Sequence, residues 1–274
     1  MRTSSINSSG KKLKINIEKD QAQRGNSGNS RGRISVVGIG PGSLEHLTPK
    51  ARSEIECADV VVGYGTYVKL IKSIVRQDAE VVSGTMGREV ERAKIAVSKA
   101  LEGKRVVMVS SGDPGVYGMA GIVLEVAAME KADLPIEIVP GVTAATAAAS
   151  KLGAPLVSDF AVISLSDLLT PWEKIERRLE AAASADFAIV LYNPQSQGRI
   201  EPLAKAYEIL LKHMRPETPV GIVKQAGREG EGVTITTLKE MLNAEIDMVT
   251  TIIVGNSATK VVNGRMVTSR GYDF

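Results

Sequence analysis

Residues 34–42 read ISVVGIGPG, an apolar, largely β-branched run that leads into glycines at every second position. Such a run predicts a strand that is buried on both faces of a parallel sheet. The glycines Gly38, Gly40 and Gly42 indicate either a place where a ligand meets bare backbone or a turn of purely structural use. The stretch therefore predicts an α/β fold and leaves the identity of any ligand open.

Strands and helices alternate from Arg33 onward. Thr48 and Pro49 have the sequence pattern of an N-cap followed by the first helical residue, and Gly103 ends a later amphipathic helix. Five strands and four helices are predicted before Gly141. We therefore predict a first α/β domain at residues 33–140, with a parallel five-stranded sheet covered by helices on both faces.

The pattern changes after residue 140. A helix of small residues, VTAATAAASKLG, is followed by strands with shorter connections, and Asn263-Gly264 is typical of a two-residue hairpin turn. We predict a second α/β domain at residues 141–274 with a mixed sheet, and a boundary near Pro140–Gly141. Residues 1–32 are rich in Ser, Asn, Gly and Lys without apolar periodicity, which predicts a disordered tail.

The net charge of +3 comes from this tail. Residues 1–33 contain eight Lys and Arg and two acidic residues, whereas the remaining chain has a net charge of −3. The folded part is therefore not expected to bind nucleic acid. No apolar run approaches the ~20 residues that span a bilayer, and no signal peptide is evident, so we expect no membrane association and a cytoplasmic location.

Metal-binding residues are sparse. The chain has one cysteine, Cys57, and two histidines, His46 and His213, which are far apart in sequence. This composition predicts no protein-bound metal.

The first glycine-rich loop does not match a dinucleotide site. Such a site needs Gly-x-Gly-x-x-Gly opening into a helix and an acid at the end of the second strand. Here Pro41 follows the second glycine, Ser43 stands at the third glycine position, and the second strand ends in Gly63-Tyr64. No Gly-Lys-Ser/Thr follows either, which excludes a P-loop.

Two further strand ends share the same small-residue composition. They are SSGDPGVYG at 110–118 and VPGVTAA at 139–145. In a parallel sheet these ends lie at one edge, where ligands bind, and the absence of Lys and Arg argues against a phosphate. An adenosine with an uncharged or cationic tail fits better. For Asp113 alone, a structural alternative is a helix cap, with Pro114 as the first helical residue.

GIGPG, GDPGVYGM and VPGVTAA, in this order and spacing, resemble the tetrapyrrole methylase family, and the resemblance covers residues 33–274. It implies a two-domain fold, usually a homodimer, that uses S-adenosylmethionine to methylate tetrapyrroles. ISLSDLLTPWE, LYNPQS, GIVKQAGREGE and TTIIVGNS resemble the branch that methylates C17 of precorrin-3B or cobalt-precorrin-3 in cobalamin biosynthesis. In that branch, methylation is coupled to contraction of the ring.

The resemblance also implies site residues. Those expected to bind S-adenosylmethionine are Gly112, Asp113, Val116, Tyr117, Thr143, Ala144, Tyr192, Val223 and Thr251. Those expected near the tetrapyrrole are Pro41, Ser166 and Asp167.

Methyl transfer from a sulfonium needs positioning and desolvation rather than a nucleophilic triad, so no catalytic residue is assigned. Ring contraction needs proton transfers, for which Ser164, Ser166, Asp167 and Asp159 are candidates, although strand ends and helix caps also favour such residues. The carboxylates of the substrate would need cations, and the candidates are Arg52, Arg88, Lys224 and Arg228.

Other functions stay open at this stage. One is a different tetrapyrrole methylase branch, acting at C11 or C20 or forming diphthamide on a protein. Another is a methyltransferase of the nucleotide-binding fold, which shares Gly-x-Gly-x-Gly but also needs an acid after the second strand. A third is a corrinoid or nucleotide binder without catalytic turnover.

Overall fold

The computed structural model of the protein describes residues 32–196 and 198–272. The disorder predicted for the tail falls on residues that lie, except for Gly32, outside this range. Gly32 itself is buried, and a Cβ on it would lie 1.9 Å from the carbonyl oxygen of Ala100. The described residues belong to one compact unit.

Residues 33–139 contain a five-stranded sheet in which every pair of neighbours is parallel, as predicted. The strands are β1 (Arg33–Gly38), β2 (Val60–Tyr64), β3 (Glu80–Gly84), β4 (Arg105–Ser110) and β5 (Ile136–Val139). Their order across the sheet is β3-β2-β4-β1-β5. The helices are α1 (Pro49–Cys57), α2 (Gly65–Ile71), α3 (Glu89–Leu101) and α4 (Ala120–Met129), with short 3-10 turns at Leu44–His46 and Lys72–Ile74.

Both faces of this sheet are buried, which accounts for the continuous apolar run in β1. Ile34 and Val36 pack with residues of α3 and α4 on one face, and Val37 packs with residues of α1 on the other. Helix α1 begins as predicted, because the Thr48 hydroxyl accepts a hydrogen bond from the Ala51 amide and Pro49 is the first helical residue.

The second half contains a mixed sheet, also as predicted. Its strands are β7 (Phe160–Ser164), β8 (Ala188–Tyr192), β9 (Pro219–Lys224), β10 (Gly232–Thr237) and β11 (Thr250–Val254), in the order β10-β9-β11-β8-β7. Only the β7–β8 pair is parallel within this sheet as described. A small third sheet contains β6 (Gly153–Ala154), β12 (Thr259–Val262) and β13 (Arg265–Thr268), and Asn263 and Gly264, both with positive φ, form the predicted turn.

Three helices cover the second sheet: α5 (Ala144–Leu152), α6 (Trp172–Ser184) and α7 (Glu201–His213), and a 3-10 helix spans Leu238–Asn243. Helix α5 approaches β9 closely at its last residue, Leu152, because β9 has a glycine there. A Cβ on Gly221 of β9 would lie 2.2 Å from a methyl carbon of Leu152. We propose the domain boundary near Pro140–Gly141, since β5 ends the first sheet at Val139 and α5 packs in the core of the second.

One predicted helix begins later than its sequence indicates. Helix α4 starts at Ala120, so neither Asp113 nor Pro114 begins it, and Asp113 is not its cap. Tyr117 has a φ of 53°, in the left-handed region, which keeps residues 113–119 in a loop. In the part of the chain that the structure describes, no helix combines the length and apolarity needed to cross a membrane.

Candidate functional site

Three loops interlock by direct backbone contact at the carboxyl edge of the first sheet. Gly40 and Gly112 exchange backbone hydrogen bonds of 3.1 and 2.9 Å. A Cβ on Gly38 would lie 2.6 Å from the Gly112 carbonyl oxygen, and a Cβ on Gly141 would lie 2.2 Å from the same atom. Gly38 and Gly141 therefore serve loop packing, and of the GIGPG loop Pro41 is the residue that reaches the cavity wall.

The Asp113 carboxylate connects two of these loops. One oxygen accepts a hydrogen bond of 2.8 Å from the Gly115 amide within its own loop. The other accepts one of 3.1 Å from the Gly141 amide, after β5. A carboxylate bonded to two backbone amides fixes their direction, so Asp113 sets the shape of the loop that follows β4.

A cavity opens next to these loops, between the ends of the two large sheets. The residues that follow β4 contribute Gly112, Asp113, Val116 and Tyr117 to its wall, and the start of α5 contributes Thr143 and Ala144. The second sheet contributes Tyr192 and Thr251. The structure thus brings together eight of the nine residues predicted to bind the cofactor, together with Pro41.

Antiparallel pairing explains why Thr251 lies at this edge. Strands β8 and β9 reach the cavity at their carboxyl ends, whereas β11 reaches it at its amino end. Thr250 pairs with Lys224 of β9, and Ile252 pairs with Leu191 of β8. The rule for parallel sheets, which looks for ligands at carboxyl ends, therefore does not extend to β11.

Tyr192 takes the place of a side-chain cap for α5. Its hydroxyl accepts a hydrogen bond of 2.6 Å from the Ala145 amide and lies 2.7 Å from the Thr143 hydroxyl. Burial raises the pKa of the Tyr192 phenol above its usual value. The phenol is therefore neutral at physiological pH and anchors the start of α5 to the end of β8.

Tyr117 crosses from the first sheet to the edge strand of the second. Its hydroxyl donates to the Val162 carbonyl and accepts from the Ser164 amide, each at 3.2 Å. Its ring lies 5.8 Å from the Tyr192 ring, centroid to centroid. These contacts place two aromatic rings side by side in the wall.

The remaining predicted residues lie outside this wall. Val223 is fully buried in the core beneath α5. The Ser166 backbone amide donates to the Ser164 hydroxyl at 3.2 Å, and the exposed Asp167 carboxylate lies 3.8 Å from the Arg199 guanidinium. Their predicted roles in cofactor or substrate binding stay predictions.

The sequence analysis did not assign several wall residues: Tyr67, Ser111, Asn193, Gln225, Ala226, Met248, Val249 and Thr250. Asn193 and Gln225 follow strands and have φ values of 51° and 52°. The Asn-Pro pair at 193–194 is a turn signal that could have singled out Asn193. The side-chain Nδ2 of Asn193 donates to the Ser164 hydroxyl at 2.9 Å, so Ser164 lies directly behind the wall.

The four candidate cations differ in their partners. Arg52 pairs with Glu56, and Arg88 pairs with Glu91. Lys224 pairs with Glu245 and Asp247, which raise its pKa. Arg228 lies in the cavity wall. Within residues 32–196 and 198–272, no three His, Cys, Asp or Glu side chains are grouped so as to hold a metal ion.

Residues 33–242 match the family model of the tetrapyrrole (corrin/porphyrin) methylases. The chain belongs to this family. The members of this family are methyltransferases, so the chain is a methyltransferase. The loops at the carboxyl edge of its first sheet contain the motifs that resemble the family.

Several relatives of this tetrapyrrole methylase carry related names. It is 49% identical over 239 residues to the "Probable cobalt-factor III C(17)-methyltransferase" of Salmonella typhimurium, with 87% of this chain and 99% of the relative aligned. It is 49% identical to the "Cobalt-factor III methyltransferase" of Priestia megaterium, but the 88% of this chain that aligns spans 45% of that protein. It is 40% identical to the "Precorrin-3B C(17)-methyltransferase" of Sinorhizobium sp, with 84% and 91% aligned.

Solved structures support the same placement of this tetrapyrrole methylase. The crystal structure of the methyltransferase CobJ matches with a TM-score of 0.82 and 37% identity over 87% of this chain and 100% of that one. The uroporphyrin-III C-methyl transferase from Thermus thermophilus complexed with S-adenyl homocysteine matches with a TM-score of 0.64 and 25% identity, covering 82% of this chain and 97% of that one. The predicted two-sheet tetrapyrrole methylase fold is confirmed.

Proposed function

We propose that this protein transfers the methyl group of S-adenosylmethionine to C17 of precorrin-3B or of its cobalt-containing counterpart, with contraction of the ring, in cobalamin biosynthesis. The observation that carries the proposal is the 49% identity over 99% of a relative named for C17 methylation of cobalt-factor III. The cavity at the junction of the two sheets supports it.

The wall suits S-adenosylmethionine, which supplies a methyl group on a cationic sulfonium. The described residues of the cavity wall are mostly small, apolar or hydroxylated, and the charged ones are Asp113 and Arg228. The Asp113 carboxylate, at one side, favours a cation. The hydroxyls of Thr143, Tyr192 and Thr251 are hydrogen-bonding groups for a ribose or an amino acid. A related enzyme is complexed with S-adenyl homocysteine.

The residues of this chain would act by orientation. Asp113 and Tyr192 hold the loop after β4 and the start of α5 through bonds to the Gly141 and Ala145 amides. Holding two reactants in line lowers the entropic part of the barrier, which is the main need of a displacement with a good leaving group. Catalytic acid–base residues stay unassigned. Among the candidates for proton transfer during ring contraction, Ser164 lies directly behind the cavity wall.

The decisive experiment is a methyl-transfer assay with methyl-labelled S-adenosylmethionine. Purified protein is incubated with precorrin-3B or cobalt-factor III, and the product is analysed by mass spectrometry and NMR. A labelled methyl at C17 is expected. Methylation at C11 or C20 would place the protein in another branch, and binding without transfer to either substrate would indicate a carrier.

The homodimer and the cytoplasmic location are proposals that rest on the family resemblance. Light scattering of the purified protein tests the first, with twice the mass of one chain as the expected result. Fractionation of cells that express the protein tests the second, with recovery in the soluble fraction expected.

A further inference from the structure

Arg228 is carried to the cavity by the loop between β9 and β10. Gln225 and Gly227 in this loop have positive φ, and the Arg228 amide donates to the Gln225 carbonyl at 2.9 Å. The loop packs on Pro41, since a Cβ on Gly227 would lie 3.0 Å from the Pro41 ring. Arg228 is therefore held against the GIGPG loop by backbone geometry.

Its guanidinium is fixed by two uncharged acceptors. Nε donates to the Pro41 carbonyl, and Nη2 donates to the Ser111 hydroxyl at 3.3 Å. The side chain passes over Gly42, where a Cβ would lie 2.7 Å from Nε. Gly42 thus leaves the space that lets Arg228 reach the cavity.

No described carboxylate lies within 4.0 Å of this guanidinium, although the other candidate cations have such partners. Arg228 is half-buried and lines the cavity. A guanidinium has five N–H donors, and the two of Nη1 bond to none of the described groups. One N–H of Nη1 and the remaining N–H of Nη2 lie parallel in the guanidinium plane, so this free pair on a partly desolvated cation matches the two oxygens of a carboxylate.

We propose that Arg228 binds a carboxylate of a ligand in this cavity through Nη1 and the free N–H of Nη2. The inference rests on the proposed function, which offers two sources of that group. One is the amino-acid end of S-adenosylmethionine, and the other is an acidic side chain of the tetrapyrrole. Bidentate binding by Arg would select a carboxylate over an uncharged group at this point of the cavity.

The test compares three proteins: wild type, Arg228→Gln and a control, Arg177→Gln, which changes an exposed arginine on α6. Calorimetry gives the Kd for S-adenosylhomocysteine and for 5′-methylthioadenosine, which lacks the carboxylate. Absorbance titration gives the Kd for cobalt uroporphyrin, a stable tetrapyrrole polycarboxylate. Loss of a charge-assisted bidentate bond is expected to raise one carboxylate-dependent Kd at least about tenfold.

Two outcomes support the proposal and assign the source. A weaker S-adenosylhomocysteine complex with unchanged methylthioadenosine binding assigns Arg228 to the cofactor. A weaker cobalt uroporphyrin complex with both adenosine ligands unchanged assigns it to the tetrapyrrole. Two outcomes overturn it: no Kd changes, or all three ligands weaken together, which would show that Arg228 only supports the loops.

Failure of the proposed function has a different signature. Wild-type protein that binds S-adenosylhomocysteine but methylates neither precorrin-3B nor cobalt-factor III would contradict the function. The comparison of S-adenosylhomocysteine with methylthioadenosine would still decide whether Arg228 binds a carboxylate.

Discussion

At the scale of single residues, the described site contains side chains that hold the backbone in place by hydrogen bonds, and no side chain is assigned as a catalytic acid or base. Asp113 and Tyr192 each bond to an amide of a neighbouring loop or helix. The sequence identified both as site residues through the resemblance. It could not show what they contact, because Gly141 and Ala145 are distant in sequence and meet them only in the folded chain.

Asp113→Ala is expected to raise the Kd for S-adenosylhomocysteine at least about tenfold without unfolding the protein. The change removes a charged acceptor from the Gly115 and Gly141 amides, which costs roughly 1–3 kcal/mol and loosens the loop that lines the cavity. Calorimetry measures the affinity, and circular dichroism shows whether the variant is folded. Asp78→Ala, at an exposed aspartate paired with Arg76, is the control. Unchanged affinity in Asp113→Ala would remove this loop from the site.

Tyr192→Phe is expected to lower the free energy of unfolding by about 1–2 kcal/mol, because the Ala145 amide loses its acceptor in a half-buried place. The difference in absorbance between wild type and variant during alkaline titration isolates the Tyr192 phenol, which should ionise above the usual pH range of a phenol because burial raises its pKa. An ordinary titration of that phenol would contradict the described contacts.

At the scale of elements, strand ends and glycines set the geometry of the site. The apolar runs predicted the strands, and cap signals predicted helix α1, because both depend on local sequence. The late start of α4 was not predictable, since the left-handed Tyr117 is stabilised by its bonds to Val162 and Ser164 of a distant strand. Tertiary contacts override helix propensity there.

Gly141→Ala is expected to destabilise the protein by about 1–3 kcal/mol, because the new Cβ would lie 2.2 Å from the Gly112 carbonyl oxygen, and neither backbone can move freely. Gly121→Ala, on α4 with nothing within 4 Å of the added Cβ, is the matched control. That change should be neutral or slightly stabilising. Urea unfolding measures both, and equal stability of the two variants would argue against the interlocked loops.

The Asp59 carboxylate, just before β2, binds Arg105, the first residue of β4, and so holds the two strands together. Hydrogen bonds from the Arg105 side chain and amide lower its pKa from 3.8 to about 2. Because the folded pKa is the lower one, the pair stabilises the protein above about pH 4, and this stabilisation is lost as the pH falls through 2. Asp59→Asn should therefore cost at most about 2 kcal/mol at pH 7 and progressively less in acid. Urea unfolding at several pH values measures this, and a cost that does not shrink would contradict it.

At the scale of the whole molecule, two sheets and their loops make one cavity from distant parts of the chain. The wall described here runs from Pro41 to Thr251. Deletion of residues 1–30 is accordingly expected to leave kcat/KM for methyl transfer unchanged, since the wall residues named above all lie at Pro41 or later in the chain. A matched assay of full-length and truncated protein tests this, and loss of turnover on truncation would show that the tail contributes to the site.

The sequence by itself determined the elements, the two-sheet plan and the family, because apolar periodicity, turn residues and short glycine motifs are local signals. Eight of the nine residues that it assigned to the cofactor line the cavity. Only the tertiary structure decided that Gly38 and Gly141 serve loop packing, that β11 reaches the cavity at its amino end, and that Arg228 lies in the wall without a described acidic partner. Each of these depends on contacts between residues far apart in the chain, which no local pattern encodes.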